Sequence, residues 1–275
     1  MQSVQKNYIS INGTNLFYRS LGQGPVIILL HPSPRSSAMM EPLMGVLASH
    51  FNVIAPDTPG YGLSEKSGTT INTVNDYAYF IEAIRNSLSV EKISLYGSAS
   101  GAQLAIGYAL TYPEKINRLY LDNAAHFEES VCNDILHNYF IDITPQENGI
   151  HLTLLWNHVC QSCLFFPWYD HAEKNRIANQ LPPASVIQNI VNDYLLAGVD
   201  YALAYKAAFK NERAFKVQSL LTPTTIFRWL GSPILTHIDA LLQHEMPTNI
   251  IVVETPVNMA KRFAVMGEEM KDIGH

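Results

Sequence analysis

The chain has 275 residues, 47% of them apolar and 15% charged, with a formal net charge of −6. That is apolar material enough for one large core or two small ones, and too little charge for a disordered chain. The 18 lysines and arginines are scattered, so no basic stripe suits nucleic acid, and no apolar run nears the roughly 20 residues of a membrane span. Cys132, Cys160 and Cys163 are too few for a disulfide framework, and the opening MQSVQKNYIS does not read as a secretion signal. The expectation is a cytoplasmic protein that takes a small-molecule substrate; the composition leaves its oligomeric state open.

Asn12-Gly13 between two alternating stretches, 8–11 and 14–18, predicts a hairpin. Continuous apolar runs at 26–30, 51–55, 93–96 and 119–121 predict strands buried on both faces. Helical spacing falls between them at 37–48, 74–88 and 102–112. Such alternation predicts a mainly parallel sheet with helices on both faces. From 124 to 216 no buried-strand run occurs. That stretch is rich in Tyr, Phe, Trp, Asn and His, and Ile187, Ile190, Val191, Tyr194 and Leu195 keep helical spacing. Strand signals return at 225–229 and 249–253. Met259, Phe263, Met266, Met270 and Ile273 then mark an amphipathic final helix, with Gly274 as its stop.

Three motifs follow strands in a fixed order. They are His31-Pro32-Ser33-Pro34-Arg35-Ser36-Ser37, Asp57-Thr58-Pro59-Gly60-Tyr61-Gly62-Leu63-Ser64 and Gly97-Ser98-Ala99-Ser100-Gly101. With these the sequence resembles the α/β-hydrolase family: its His-Gly oxyanion loop, its D-x-P-G-x-G-x-S loop and its G-x-S-x-G nucleophile elbow. The resemblance implies an eight-stranded, mainly parallel α/β-hydrolase core at 1–123 and 217–275, with a helical cap inserted at 124–216. It also implies that the Ser33 and Ser100 amides form an oxyanion hole. Pro32, which has no N–H, replaces the usual glycine beside the first donor.

At the elbow's centre the family carries its nucleophile. Here it is Ala99, and a methyl group cannot attack a carbonyl. The family acid commonly follows the seventh strand, but Trp229-Leu230-Gly231-Ser232-Pro233-Ile234 holds none. Some members carry it after the sixth, where Asp122 stands. The family base follows the last strand, but Thr255-Pro256-Val257-Asn258 has no histidine; His275 comes only after the final helix. Two readings are open. In one, Ala99 replaces a serine of an esterase-type hydrolase with Asp122 as acid and His275 as base. In the other, the triad is natively modified and the pocket works by acid–base chemistry, as a lyase or cyclase would. A non-catalytic binder of small molecules is the reading from another class.

Other groups are candidates for that chemistry. His31 and His126 lie near strand ends, and a histidine oriented by a carboxylate can take a proton and leave charge for an oxyanion hole. Trp156, Phe166, Trp168 and Tyr169 are candidates to line a pocket for a hydrophobic substrate. Cys160-Gln161-Ser162-Cys163 matches C-x-x-C but lies within a helical stretch rather than at a helix start after a strand. No phosphate loop, dinucleotide fingerprint or H-E-x-x-H occurs, so neither cofactor nor metal is expected.

Overall fold

Eight strands form one sheet: β1 (Gln5–Ile11), β2 (Thr14–Leu21), β3 (Val26–Leu30), β4 (Asn52–Pro56), β5 (Ile93–Ser98), β6 (Ile116–Asp122), β7 (Thr224–Trp229) and β8 (Ile250–Thr255). The computed structural model describes residues 3–69 and 71–271. The strand order is β1-β2-β4-β3-β5-β6-β7-β8. The hairpin at Asn12-Gly13 pairs β1 with β2, and β2 runs antiparallel to β4; every other pairing is parallel. This is the mainly parallel sheet the apolar runs predict.

Around the sheet lie α1 (Glu41–Leu47), α2 (Val74–Ser87), α3 (Ser100–Thr111), α4 (Glu129–Asn138), α5 (Ile150–Ser162), α6 (Ala184–Ala197), α7 (Leu203–Asn211), α8 (Ala214–Gln218), α9 (Leu235–Leu242) and α10 (Met259–Lys271). The helix expected over 37–48 is split. A short 3-10 turn at Ser37–Met40 precedes α1, whose first turn contains Pro42. A proline there sacrifices only an amide that no helix would bond. In α2 the Thr73 hydroxyl and Asp76 carboxylate cap each other's backbone amides, which sets the start of the helix.

Period-two alternation sorts the core into two layers. All five residues of β3 are buried. Ile28 and Leu30 pack with Leu95, Ala102 and Ile106 on one face. Ile27 and Leu29 pack with Met44, Met266 and Met270 on the other. The methionine stripe of α10 thus seals the second face, although Met259 at its start is exposed. Ile273, Gly274 and His275 lie outside the described residues.

Between β6 and β7 the chain leaves the sheet and forms α4 to α8. This insertion is tied back to the loops after β3 and β4. Arg35 Nε reaches Asp193 of α6 at 2.7 Å, and Ser36 Oγ donates to the same carboxylate at 3.0 Å. The Tyr61 hydroxyl donates to Tyr201 O at 2.8 Å and accepts from Ala204 N at 2.9 Å. Lys66 pairs with Asp200 at 2.6 Å. No helix among the described residues is long and apolar enough to cross a membrane.

Candidate active site

The chain turns from β5 into α3 at Ala99, whose φ is +50° and ψ −116°. Alanine at such a φ stores about 1–3 kcal/mol of strain. The two flanking glycines permit the bend. A Cβ on Gly97 would lie 2.3 Å from Gly101 O, and one on Gly101 would lie 2.4 Å from Leu30 O. Three backbone bonds then hold the apex. Ala99 N donates to Asp122 O at 2.8 Å, while Ala99 O accepts from Ala102 N at 2.9 Å and Gln103 N at 3.2 Å. Ala99 therefore stands at the tip of a sharp strand-to-helix turn, where the resemblance implies the nucleophile, and presents a methyl group.

The loop after β3 faces that elbow. The Ser33 amide, one of the two expected oxyanion donors, is engaged with the Ser100 hydroxyl at 2.5 Å. Rotation of that hydroxyl would be needed to free it. The Asp57 carboxylate stitches the neighbouring loop to this one, accepting from Ser37 N at 2.6 Å and Leu63 N at 2.8 Å. His31 belongs to the same scaffold. Its Nε2 accepts from Thr58 N at 3.0 Å, so the ring proton sits on Nδ1, 3.0 Å from Pro32 O. Burial pushes its pKa down, which keeps the ring neutral. Both nitrogens are committed to backbone, and His31 is not among the residues lining the central cavity.

His126 is turned elsewhere as well. Its Nδ1 accepts from Ala214 N at 3.3 Å, its Nε2 lies 3.5 Å from Glu128, and its ring meets His244 edge-on. The structure therefore does not bring His31, His126 and Asp122 together.

Asp122 ends β6 in register with Ser98 of β5. Its buried carboxylate accepts from the Tyr96 hydroxyl at 2.7 Å and the Ser98 hydroxyl at 3.2 Å. Arg262 of α10 completes the shell, with Nη2 2.5 Å from both carboxylate oxygens. The guanidinium also lies 4.3 Å from the Trp229 ring centroid. Where the resemblance implies a carboxylate after β7, Trp229 ends the strand. Where it implies a histidine after β8, the chain leads into α10 and Arg262. Asp122 is thus neutralised by an arginine, and among the described residues no imidazole contacts it.

Over the elbow lies a cavity of about 290 Å³. Ser33, Ser98, Ala99 and Ser100 face it from the core, and Tyr139, Tyr194, Tyr205 and Phe209 from the insertion. Of the four aromatics singled out above, Phe166 lines it. Trp168 instead donates its indole N–H to Tyr139 O at 2.7 Å, Tyr169 donates to the Asp134 carboxylate, and Trp156 packs against the main core. Cys160 and Cys163 are free thiols whose pKa values burial raises.

Three lining residues carry buried polar atoms without partners: Oδ1 of Asn123, Nε1 of Trp229 and Oε2 of Glu212. Glu212 is 4% exposed, and burial pushes its carboxyl well above the usual range. In sequence Asn211-Glu212-Arg213 reads as a polar surface step. Nothing there signals that Asn211 Nδ2 bonds Gln103 Oε1 at 3.0 Å and so holds this corner against the elbow helix.

Residues 25–148 match the family model described as the alpha/beta hydrolase fold. Together with the eight-stranded sheet and the elbow, this makes the chain an α/β-hydrolase-fold protein. An uncharacterized hydrolase of Saccharomyces cerevisiae is 32% identical over 122 residues, 44% of this chain and 42% of that protein. A cis-3-alkyl-4-alkyloxetan-2-one decarboxylase of Shewanella oneidensis is 35% identical over 130 residues, 45% of this chain and 40% of the relative. The matches thus span less than half the length of these relatives. The crystal structure of epoxide hydrolase A from Mycobacterium thermoresistibile superposes with a TM-score of 0.72 at 15% identity, covering 98% of each chain, a likeness of fold.

Proposed function

We propose that the protein is an enzyme acting on a small, largely apolar organic molecule by acid–base chemistry, without a covalent serine intermediate. The observation that carries this is the apex of the elbow: a methyl group at the floor of an intact, aromatic-lined cavity. Among the described residues, Trp229 and the stretch leading to Arg262 stand where the resemblance implies acid and base, and Asp122 is paired with Arg262 rather than with an imidazole. A base without a nucleophile has no task, so the absences are mutually consistent. The insertion serves as the cap that closes the cavity. The N-terminus of α3, with the Ser100 amide, remains an electropositive end at which negative charge on a substrate oxygen is favourable. Glu212 is the carboxyl facing the cavity that can hold or move a proton. That a matched relative is named a decarboxylase supports chemistry outside ester hydrolysis.

A second reading is favoured by the Ala99 backbone, which keeps a strained shape suited to a nucleophile. It makes the protein a serine hydrolase silenced at position 99. Ala99→Ser treated with a fluorophosphonate probe separates the two. The acid–base reading expects no covalent labelling of Ser at 99 on the timescale of an active serine hydrolase. Rapid stoichiometric labelling would establish the second reading. A protein that binds small apolar molecules and turns over none of a panel of esters, lactones and β-keto acids would be a binder.

A further inference from the structure

A buried carboxyl without a partner is costly unless something satisfies it. Glu212 is such a group: Oε2 is buried and unpaired, and the residue lines the cavity over the elbow. Its backbone is fixed from three sides. Glu212 N donates to Ala208 O at 3.1 Å, its carbonyl accepts from Phe127 N at 3.5 Å, and Asn211 is pinned to Gln103 of α3. Gln103 N in turn bonds Ala99 O, so two hydrogen-bonded steps connect this corner to the apex. The carboxyl is thereby held in place by the fold rather than left to find solvent.

The rest of the wall indicates what it meets there. Tyr205, Phe209 and Phe127 line the same cavity and make its wall largely aromatic. Arg35, the other acidic or basic lining residue among those described, is paired with Asp193, so the positive potential at the floor comes from the α3 N-terminus. An ammonium ligand would face that positive end. A carbonyl-class oxygen would be met by donors.

We propose that Glu212 is the polar anchor of this cavity, a specificity-determining residue that donates its carboxyl hydrogen bond to a carbonyl-class oxygen of an otherwise apolar ligand. This rests on the cavity being the substrate site, as proposed above, and it adds the class of group that the substrate carries.

The test uses three probes of nearly one shape: acetophenone, α-methylstyrene, in which C=CH2 replaces C=O, and 1-phenylethylammonium. Affinities are measured by calorimetry or NMR titration on the full chain and on Glu212→Gln and Glu212→Leu. The wild-type protein is expected to bind acetophenone roughly 2- to 10-fold more tightly than α-methylstyrene, the range one net hydrogen bond supplies. Glu212→Gln, whose amide N–H replaces the O–H, keeps a preference for the ketone. Glu212→Leu binds the two alike. A ketone preference that survives in Glu212→Leu, or tightest binding of the ammonium in the wild-type protein, overturns the proposal. Equal wild-type affinity for both neutral probes removes the anchor and leaves the apolar cavity standing. Absence of binding by any probe removes the cavity reading and the anchor with it. Should Glu212→Leu fail to fold, the wild-type preference and its retention in Glu212→Gln still decide.

Discussion

Arg262→Met is the most informative perturbation of this protein. Asp122 and Arg262 are 1% and 4% exposed, and the guanidinium sits 2.5 Å from both carboxylate oxygens. Removing it leaves Asp122 buried with only the Tyr96 and Ser98 hydroxyls as partners. Breaking a buried pair from one side costs about 3–5 kcal/mol. Methionine restores much of the volume against Trp229 but not the cation–π contact, which adds about 1–2 kcal/mol at a desolvated site. Against a typical total of about 5–15 kcal/mol, the variant should lose a large share of its stability. The assay is urea unfolding, read as a fall in midpoint at unchanged slope. Asp122→Asn combined with Arg262→Met removes both charges and should recover part of the loss. A single-variant cost under about 1 kcal/mol, or a double variant no better than the single, would refute the view that this arginine is what neutralises Asp122.

Three further outcomes can be checked. Ala99→Gly should raise stability by about 1 kcal/mol, because relief of the +50° φ outweighs the added chain entropy; a lowered melting temperature would show that the apex is unstrained. His158 is buried against Tyr194 and Trp168, and desolvation lowers its pKa to about 4. The unfolded chain takes up the proton first, so stability should fall by about 3 kcal/mol as pH drops from the ordinary histidine value to 4, and His158→Leu should flatten that slope. Glu212 runs the opposite way. Its carboxyl is raised in the folded state, so its contribution is present below the ordinary glutamate pKa and is lost as pH rises toward the folded value. Glu212→Gln should gain on the wild-type protein between pH 5 and 8 in parallel unfolding curves; a gap that does not change with pH would refute this.

Much of the scaffold was legible because strands buried on both faces write themselves as continuous apolar runs. Residues 26–30, 93–96 and 119–121 all fall within strands. The elbow was legible because only glycine fits where backbones approach within 2.3 to 2.4 Å of a would-be Cβ. The site was harder to read. Arg262 lies 140 positions from Asp122, and no local pattern announces a contact of that span. In the aromatic run at 164–169, side chains divide between cavity and scaffold according to where Trp168 finds a carbonyl, which spacing does not encode. His31 stands beside the site in sequence, yet the amide of Thr58 claims its free nitrogen.

The fastening of the insertion has a mechanical consequence. On the β6 and β7 side it continues covalently into the sheet. On the β3 and β4 side Arg35, Ser36, Tyr61 and Lys66 grip it, beside the packing of α7 on α2 and α3. Two of these grips are ion pairs with partly exposed side chains, and salt weakens such pairs. The assembly is hinged along one edge and buttoned along the other, so ionic strength acts on the buttons and leaves the hinge alone.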